Sequence, residues 1–306
     1  MDIQVARDII GAIPLLNSVE RVEFLDEGFS PDVKYVLWED GSPRYVLRIG
    51  GIDLAERRRR DFDLMSLHSQ RGILCSKPYT FGVDEDNQVC YWVLGYVPGK
   101  NAEEALPPLT EQHQFDLGLV AGEQLRKLHE MAYPKPGFDW PTHRIAKHFR
   151  YVKAAQELAL TFDRQDVVER FIKDALPILN DVPVRFQHDD YHPGNLIIDD
   201  GRFSGMIDFH NSDWGDPIED FYKVPWFTCE VSVPFANGQI AGYFGEDVPD
   251  RFWLRYNLYV AMSLTSSLVW GYRTGQLSNF SERLPGVLDT HDFIKADPPT
   301  WYSDTL

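Results

Sequence analysis

Short apolar runs broken by turn-forming residues dominate the first 95 positions. Residues 19–26, 34–39 and 45–49 have the β-branched and aromatic make-up of strands, and Asp40-Gly41 supplies a tight turn between the second and third. From 54 to 70 the spacing turns helical, with Phe62 and Met65 three apart and Leu64 aligned with Leu67 and His68, until Arg71-Gly72 ends it. Residues 78–83 and 88–93 read as two more strands joined by the polar turn 84–87. The pattern predicts about five strands and one helix here.

The stretch Leu94-Gly95-Tyr96-Val97-Pro98-Gly99-Lys100 then closes a strand with two glycines and a proline, the punctuation of a hinge. Beyond it the chain becomes helical. Thr110 is placed to cap a helix running to about Met131, with Leu117, Val120, Ala121, Leu125 and Leu128 on one face. Helices are predicted over 145–160 and 165–179, strands and loops over 182–209, and an aromatic-rich helical remainder. The expected class is therefore α+β: an N-terminal lobe over 1–95, a hinge over 96–99 and a larger, mainly helical C-terminal lobe over 100–306.

With 306 residues, 43% of them hydrophobic, the chain can build one large domain or two that share a cleft. The 47 acids against 30 bases leave a net charge of −17, which repels nucleic acid and anionic membranes and favours a cationic small molecule; solubility alone accounts for it equally well. The arginine run 57–60 reads as a solvated helix face. No stretch reaches the roughly 18 apolar residues of a membrane span. The N-terminus lacks a basic segment before its apolar run and does not read as a signal peptide. Cys75, Cys90 and Cys229, odd in number and widely spaced, suggest reduced thiols. A cytoplasmic monomer without nucleic-acid or membrane partners is expected.

Residues 188–196, His-Asp-Asp-Tyr-His-Pro-Gly-Asn-Leu, carry two incompatible chemistries. His188 and His192 stand four apart, as in a zinc peptidase, but that pair serves one metal only on a helix. Pro193 and Gly194 follow directly, and extended segments flank the motif, so it reads as a loop. The same letters hold His188-x-Asp190 with Asn195 five residues after the aspartate, and Ile207-Asp208-Phe209 follows the next hairpin. A loop aspartate that orients a hydroxyl, with an amide and a second carboxylate for magnesium, is the set phosphoryl transfer needs.

In these residues the sequence resembles the aminoglycoside phosphotransferase and choline kinase family, which has the two-lobed protein-kinase-like fold. The resemblance rests on 186–198, on Met206-Ile207-Asp208-Phe209 and on Gly215-Asp216-Pro217-Ile218-Glu219-Asp220-Phe221. The family pattern is H-G-D-x-x-x-x-N, then I-D-F/W, then G-D-P-x-x-D-L; here Asp189 replaces the usual Gly and Phe221 the usual Leu. A second acid beside Asp190 is expected to raise its pKa. The resemblance implies Asp190 as catalytic base, Asn195 and Asp208 as ligands of Mg2+, and His188 and Asp220 as braces of the loop. For Gly215-Asp216-Pro217 a structural turn is an equal reading.

In the first lobe the resemblance implies a phosphate-binding cation on the third strand paired with a helix acid. Arg48 stands where Lys is usual, with Asp61 as its acid and Glu56 as second choice. Gly28 and Ser30 would cover the nucleotide, and the hinge at Gly95 and Val97 would present backbone groups to the base of ATP or GTP, with Tyr96 beside them. The acceptor implied is an aminoglycoside, with choline, homoserine or another metabolite as alternatives. Asn195 stands where macrolide-modifying members carry His, and no Ala-Pro-Glu follows Asp208 as a protein kinase requires. Asp213, Glu230, Asp250, Trp226, Trp253 and Tyr256 are acceptor-cleft candidates, with core or surface placement the plainer reading of each. A kinase-fold binding module without turnover is the rival class, and a zinc hydrolase a distant third.

Overall fold

The computed structural model describes residues 3–26, 31–135, 137–245 and 247–303. In chain order its elements are α1 (Ile3–Ala12), β1 (Arg21–Leu25), β2 (Val33–Glu39), β3 (Ser42–Gly51), α2 (Ala55–Gln70), β4 (Pro78–Asp84) and β5 (Val89–Gly95). Then come β6 (Lys100–Asn101), α3 (Ala102–Ala105), α4 (Glu111–Leu128), α5 (Trp140–Glu157), α6 (Gln165–Ala175) and β7 (Arg185–Gln187). The remainder holds β8 (Leu196–Asp199), β9 (Arg202–Met206), β10 (Asp213–Gly215), α7 (Cys229–Val231), α8 (Val233–Phe244), α9 (Asp250–Thr274) and α10 (Leu277–Thr290). Two compact units result: Met1–Lys100 with Leu196–His210, and Asn101–Asn195 with Asn211–Leu306.

The first unit is built on an antiparallel sheet in the order β1-β2-β3-β5-β4. Asp40 and Gly41 both take positive φ, 51° and 71°, which makes the β2–β3 connection as tight as its residues suggested. One sheet face packs Tyr35, Leu37, Leu47, Ile49 and Val93 against Ala6, Ile9 and Ile10 of α1. The sequence reading did not include α1: its apolar stripe is short and acquires meaning only against the sheet. Helix α2 buries Arg58, Asp61, Met65 and His68. The arginine run is thus not wholly a solvated face, because the helical period turns Arg58 inward while Arg57, Arg59 and Arg60 stay exposed.

The β8–β9 hairpin, with Leu196 opposite Met206, also belongs to this unit and is joined to it by a bridge from Cys75 to Met206. The single boundary at 96–99 read from the sequence does not separate it, since the hairpin lies 100 residues further on and only long-range pairing places it.

The second unit is mainly helical. Helices α4 and α8 approach so closely that a Cβ at Gly118 or Gly122 would meet α8 backbone at 2.4 and 2.1 Å, and one at Gly238 or Gly242 would meet α4 backbone at 2.3 and 2.0 Å. Helix α5 starts at Trp140, earlier than its apolar spacing predicts, because the Asp139 side chain accepts from the Thr142 N–H and Pro141 suits the first turn. The α6 helix ends at Ala175, two residues before Pro177. A buried aromatic core gathers Trp226, Tyr256, Tyr259, Phe221 and Phe252. Antiparallel β7 and β10 pair with Gln187 opposite Asp213, and the chain leaves β7 directly into residues 188–195. Among the described residues no helix is long and apolar enough to cross a membrane.

Candidate active site

The 188–195 segment is a loop ending in a short 3-10 turn, Pro193–Asn195, so the two histidines do not share a helix face. Its shape is imposed by Asp220. That buried carboxylate accepts from the backbone N–H of His188 at 2.8 Å and of Asp189 at 2.7 Å. His129, at the end of α4, holds Asp220 in turn: its Nε2 lies 2.9 Å from the carboxylate and its Nδ1 2.9 Å from the Tyr243 hydroxyl. Tyr191 donates to the Ala121 carbonyl of α4 at 2.7 Å. The loop is therefore pinned to α4 at two points.

On this scaffold Asp190 meets three neighbours. Lys223 Nζ lies 2.6 Å from Oδ1, His192 Nε2 lies 3.5 Å from the same oxygen, and Asn195 Nδ2 donates to Oδ2 at 3.1 Å and to the Asp190 carbonyl at 2.9 Å. Burial pushes the Asp190 carboxyl up, but Lys223 and His192 outweigh it and hold the group well below the usual carboxylate range. The upward shift expected from Asp189 is therefore overturned, because the lysine ammonium is the stronger neighbour. Lys223 could not be read from the motif: it lies 33 residues away, at the end of the 3-10 turn Pro217–Lys223 that follows Asp216. Lys223→Met is expected to raise the Asp190 limb of the pH–rate profile from below the accessible range into the acidic region, since an unpaired buried carboxyl rises. An unmoved limb would remove Lys223 from the reaction.

Asp189 bears the cost instead. Burial pushes its carboxyl up to about 7, with Lys147 opposing and Glu219 and Asp220 adding to the rise. It also holds a positive φ of 57°, which explains why the family pattern places Gly here. A carboxyl whose folded pKa lies above its unfolded one supports the fold below the unfolded value and loses that support as pH climbs toward 7. Asp189→Gly keeps the N–H to Asp220 and removes both burdens. Urea unfolding should show it more stable by about 1–2 kcal/mol at pH 8 and by much less at pH 5; equal gains at both values would refute the charge argument.

Asp208 stands in the first unit at the end of the hairpin, with φ of 67°. Arg48 Nη1 donates to its Oδ1 at 2.9 Å and His210 Nδ1 lies 2.6 Å from the same oxygen. Burial pushes this carboxyl up as well, and His210 with Arg48 pull it well below the ordinary range. Arg48 is buried on β3, between Asp208 and Asp32, whose Oδ2 lies 3.4 Å from Arg48 Nε. Asp32 also receives two bonds from Arg58, at 2.9 and 3.2 Å.

Asp61, the expected partner of Arg48, is instead 3.6 Å from Arg58, one turn away on its own helix, and burial pushes its carboxyl up. The acids beside Arg48 are Asp208 and Asp32, and for Asp32 the sequence offered no periodic signal. Glu56, the second choice, is exposed. Gly28 and Ser30 lie outside the described residues. Gly95 ends β5 and its N–H donates to the Lys77 carbonyl at 2.7 Å, while the Tyr96 N–H donates to Arg44 at 2.9 Å. The Val97 N–H makes no hydrogen bond among the described residues and remains available to a ligand.

The acceptor candidates separate clearly. Trp226, Trp253 and Tyr256 are core residues. Glu230 is paired with Arg283 at 3.2 Å, and Asp250 opens α9 as an exposed residue. Asp216 is a buried structural hub: it caps the following turn at Ile218 N–H and accepts from Arg255 and from the Tyr259 hydroxyl at 3.0 Å. For a metal, Asn195 Oδ1 and the Asp208 carboxylate are hard oxygen donors of the kind magnesium takes. Among the described residues no group of three or more His, Cys, Asp and Glu side chains is placed to hold a metal ion.

An antiparallel-sheet unit and a mainly helical unit carrying the braced 188–195 loop make the α+β fold of the two-lobed protein-kinase-like class. The family model described as the phosphotransferase enzyme family matches residues 21–255, and the chain belongs to that family. No curated protein matches it. Among solved structures it is similar to a choline/ethanolamine kinase family protein from Mesorhizobium loti, at 20% identity and a TM-score of 0.71, covering 97% of this chain and 98% of that one. It is also similar to the streptomycin–ATP ternary complex of APH(2")-IIa (16%, TM-score 0.67, 93% and 96% covered). A third is the GDP and kanamycin complex of APH(2")-IIia (18%, 0.68, 94% and 99%).

Proposed function

We propose that this chain is a cytoplasmic small-molecule kinase that transfers the γ-phosphoryl group of ATP or GTP to an acceptor hydroxyl. The observation that carries the reading is Asp190, kept as a carboxylate by Lys223 on a loop fixed through Asp220. In the step proposed, the acceptor oxygen bonds to the γ-phosphorus and the bond to the bridging oxygen breaks. Asp190 orients the hydroxyl and takes its proton, and the nucleoside diphosphate leaves. Asn195 and Asp208 are the residues that would hold magnesium, whose charge neutralises the phosphates. Arg48 is the cation proposed to meet those phosphates, and the Val97 N–H the donor offered to the base.

An aminoglycoside acceptor, implied by the family resemblance and fitting the net charge, is supported by the antibiotics in two of the solved relatives. The charge beside the loop in the helical unit favours a different acceptor. The test is nucleotide consumption with magnesium across aminoglycosides, macrolides, choline, homoserine and hydroxy acids, run beside Asp190→Asn. Turnover with one class, lost in the variant, is expected. Nucleotide bound but never consumed would leave a binding module, and no nucleotide binding would sink the kinase reading.

A further inference from the structure

We propose that the acceptor is an alcohol bearing a carboxylate or phosphate group, and that this group seats in a basic cavity of the helical unit. The inference rests on the kinase reading for the hydroxyl and on the cavity for the anion. The cavity has a volume of about 390 Å³ and is lined by His143, Lys147, Arg150 and Tyr151 of α5, Asp213 of β10 and Arg273 of α9. That volume suits a metabolite.

Three cations face one carboxylate in a chain whose net charge is −17. Two of the three are uncommitted. Among the described residues neither Arg150 nor Arg273 makes a side-chain hydrogen bond or ion pair, whereas Arg48, Arg58, Arg144 and Arg255 are each bound to an acid. Lys147 lies 3.9 Å from Asp189, which favours its charged form. The single acid, Asp213, turns its carboxylate to its own backbone and accepts from the Trp214 N–H at 2.8 Å. Two guanidiniums across a cavity match the planar oxygens of a carboxylate or the oxygens of a phosphate, and Tyr151 and His143 add a hydroxyl and a ring N–H. A polycation entering here meets like charge.

The position ties the cavity to the chemistry. Asp213 stands opposite Gln187 on β7, the strand that runs straight into the catalytic loop, and Lys147 contacts the residue immediately before Asp190. An acceptor held by its anion against α5 is therefore anchored beside the segment that carries the base.

The full chain, saturated with MgADP, would be titrated calorimetrically with three matched probes: glycerol, D-glycerate and glycerol 3-phosphate. Both anions are expected to bind at least about tenfold more tightly than glycerol, and the R150Q/R273Q double variant to lose about tenfold or more of that affinity. The stronger of the two anions identifies the carboxylate or the phosphate as the group recognised. An unchanged circular dichroism spectrum and Arg150→Lys, expected to retain part of the affinity, separate lost recognition from lost fold. Equal binding of all three probes, tighter binding of kanamycin than of either anion, or anion binding untouched in the double variant would overturn the proposal. Failure to bind MgADP while anions still bind through the two arginines would remove the kinase reading and leave the anion site standing.

Discussion

Asp190→Asn is expected to lower turnover by about 10²–10⁴-fold, the usual worth of a positioned proton acceptor, while nucleotide affinity changes little. The amide keeps the size of the carboxylate but neither takes a proton nor answers Lys223, whose ammonium lies 2.6 Å from Oδ1. The wild-type profile follows from the same contact. A carboxylate held below its ordinary range stays ionised as pH falls, so Asp190 contributes no acid limb through the mildly acidic region. A carboxylate so stabilised is also a weak base. Its main contribution is then to fix the hydroxyl in line, with the proton moving late, as a loose phosphoryl transition state permits. Turnover of Asp190→Asn within about tenfold of wild type would remove Asp190 from the mechanism.

Asp32→Asn is expected to destabilise the first unit by about 3–5 kcal/mol, read as a shift in its urea unfolding transition. The Asp32 side chain is 1% exposed and stands between two guanidiniums that are 6% and 4% exposed. Removing its charge leaves Arg58, among the described residues, with Asp61, whose own carboxyl is pushed up by burial. Arg48 keeps Asp208. The double variant Asp32→Asn/Arg58→Met, which removes acid and cation together, should recover part of the loss. A single-variant change below about 1 kcal/mol would mean the network is not holding the unit. The fit leaves no slack: a Cβ on Gly50 would come within 2.8 Å of an Asp32 oxygen.

The strands of the first unit were legible because each apolar run is bounded by residues that can only turn, as at Asp40-Gly41. The loop at 188–195 was legible for a related reason: Asp190 and Asn195 are five residues apart, and Pro193 forbids the competing helix. What the sequence hid was set by distance along the chain. Four consecutive arginines do not say which one a helix will turn inward, and the choice of Arg58 depends on Asp32, 26 residues earlier. The pairing of Asp61 with Arg58 in place of Arg48 follows from that choice. His129 meets Asp220 across 91 residues, with no local spacing to announce it. Net charge is silent for the same reason, because a sum over 306 residues carries no information about one cavity wall.

Helix α5 wears two faces with different freedoms. Its inner face is committed: Arg144 Nε is 2.6 Å from the buried Glu219, and Ala154 and Ala155 pack against Val269. Its outer face, at His143, Lys147 and Arg150, has one ionic contact among the described residues, Lys147 with Asp189. Substitution of Arg150 leaves the Arg144–Glu219 pair and the Lys147–Asp189 contact in place. On the proposed reading, substrate preference can drift within this scaffold through a few changes on one helix, with Asp190, Asn195 and Asp208 unaltered.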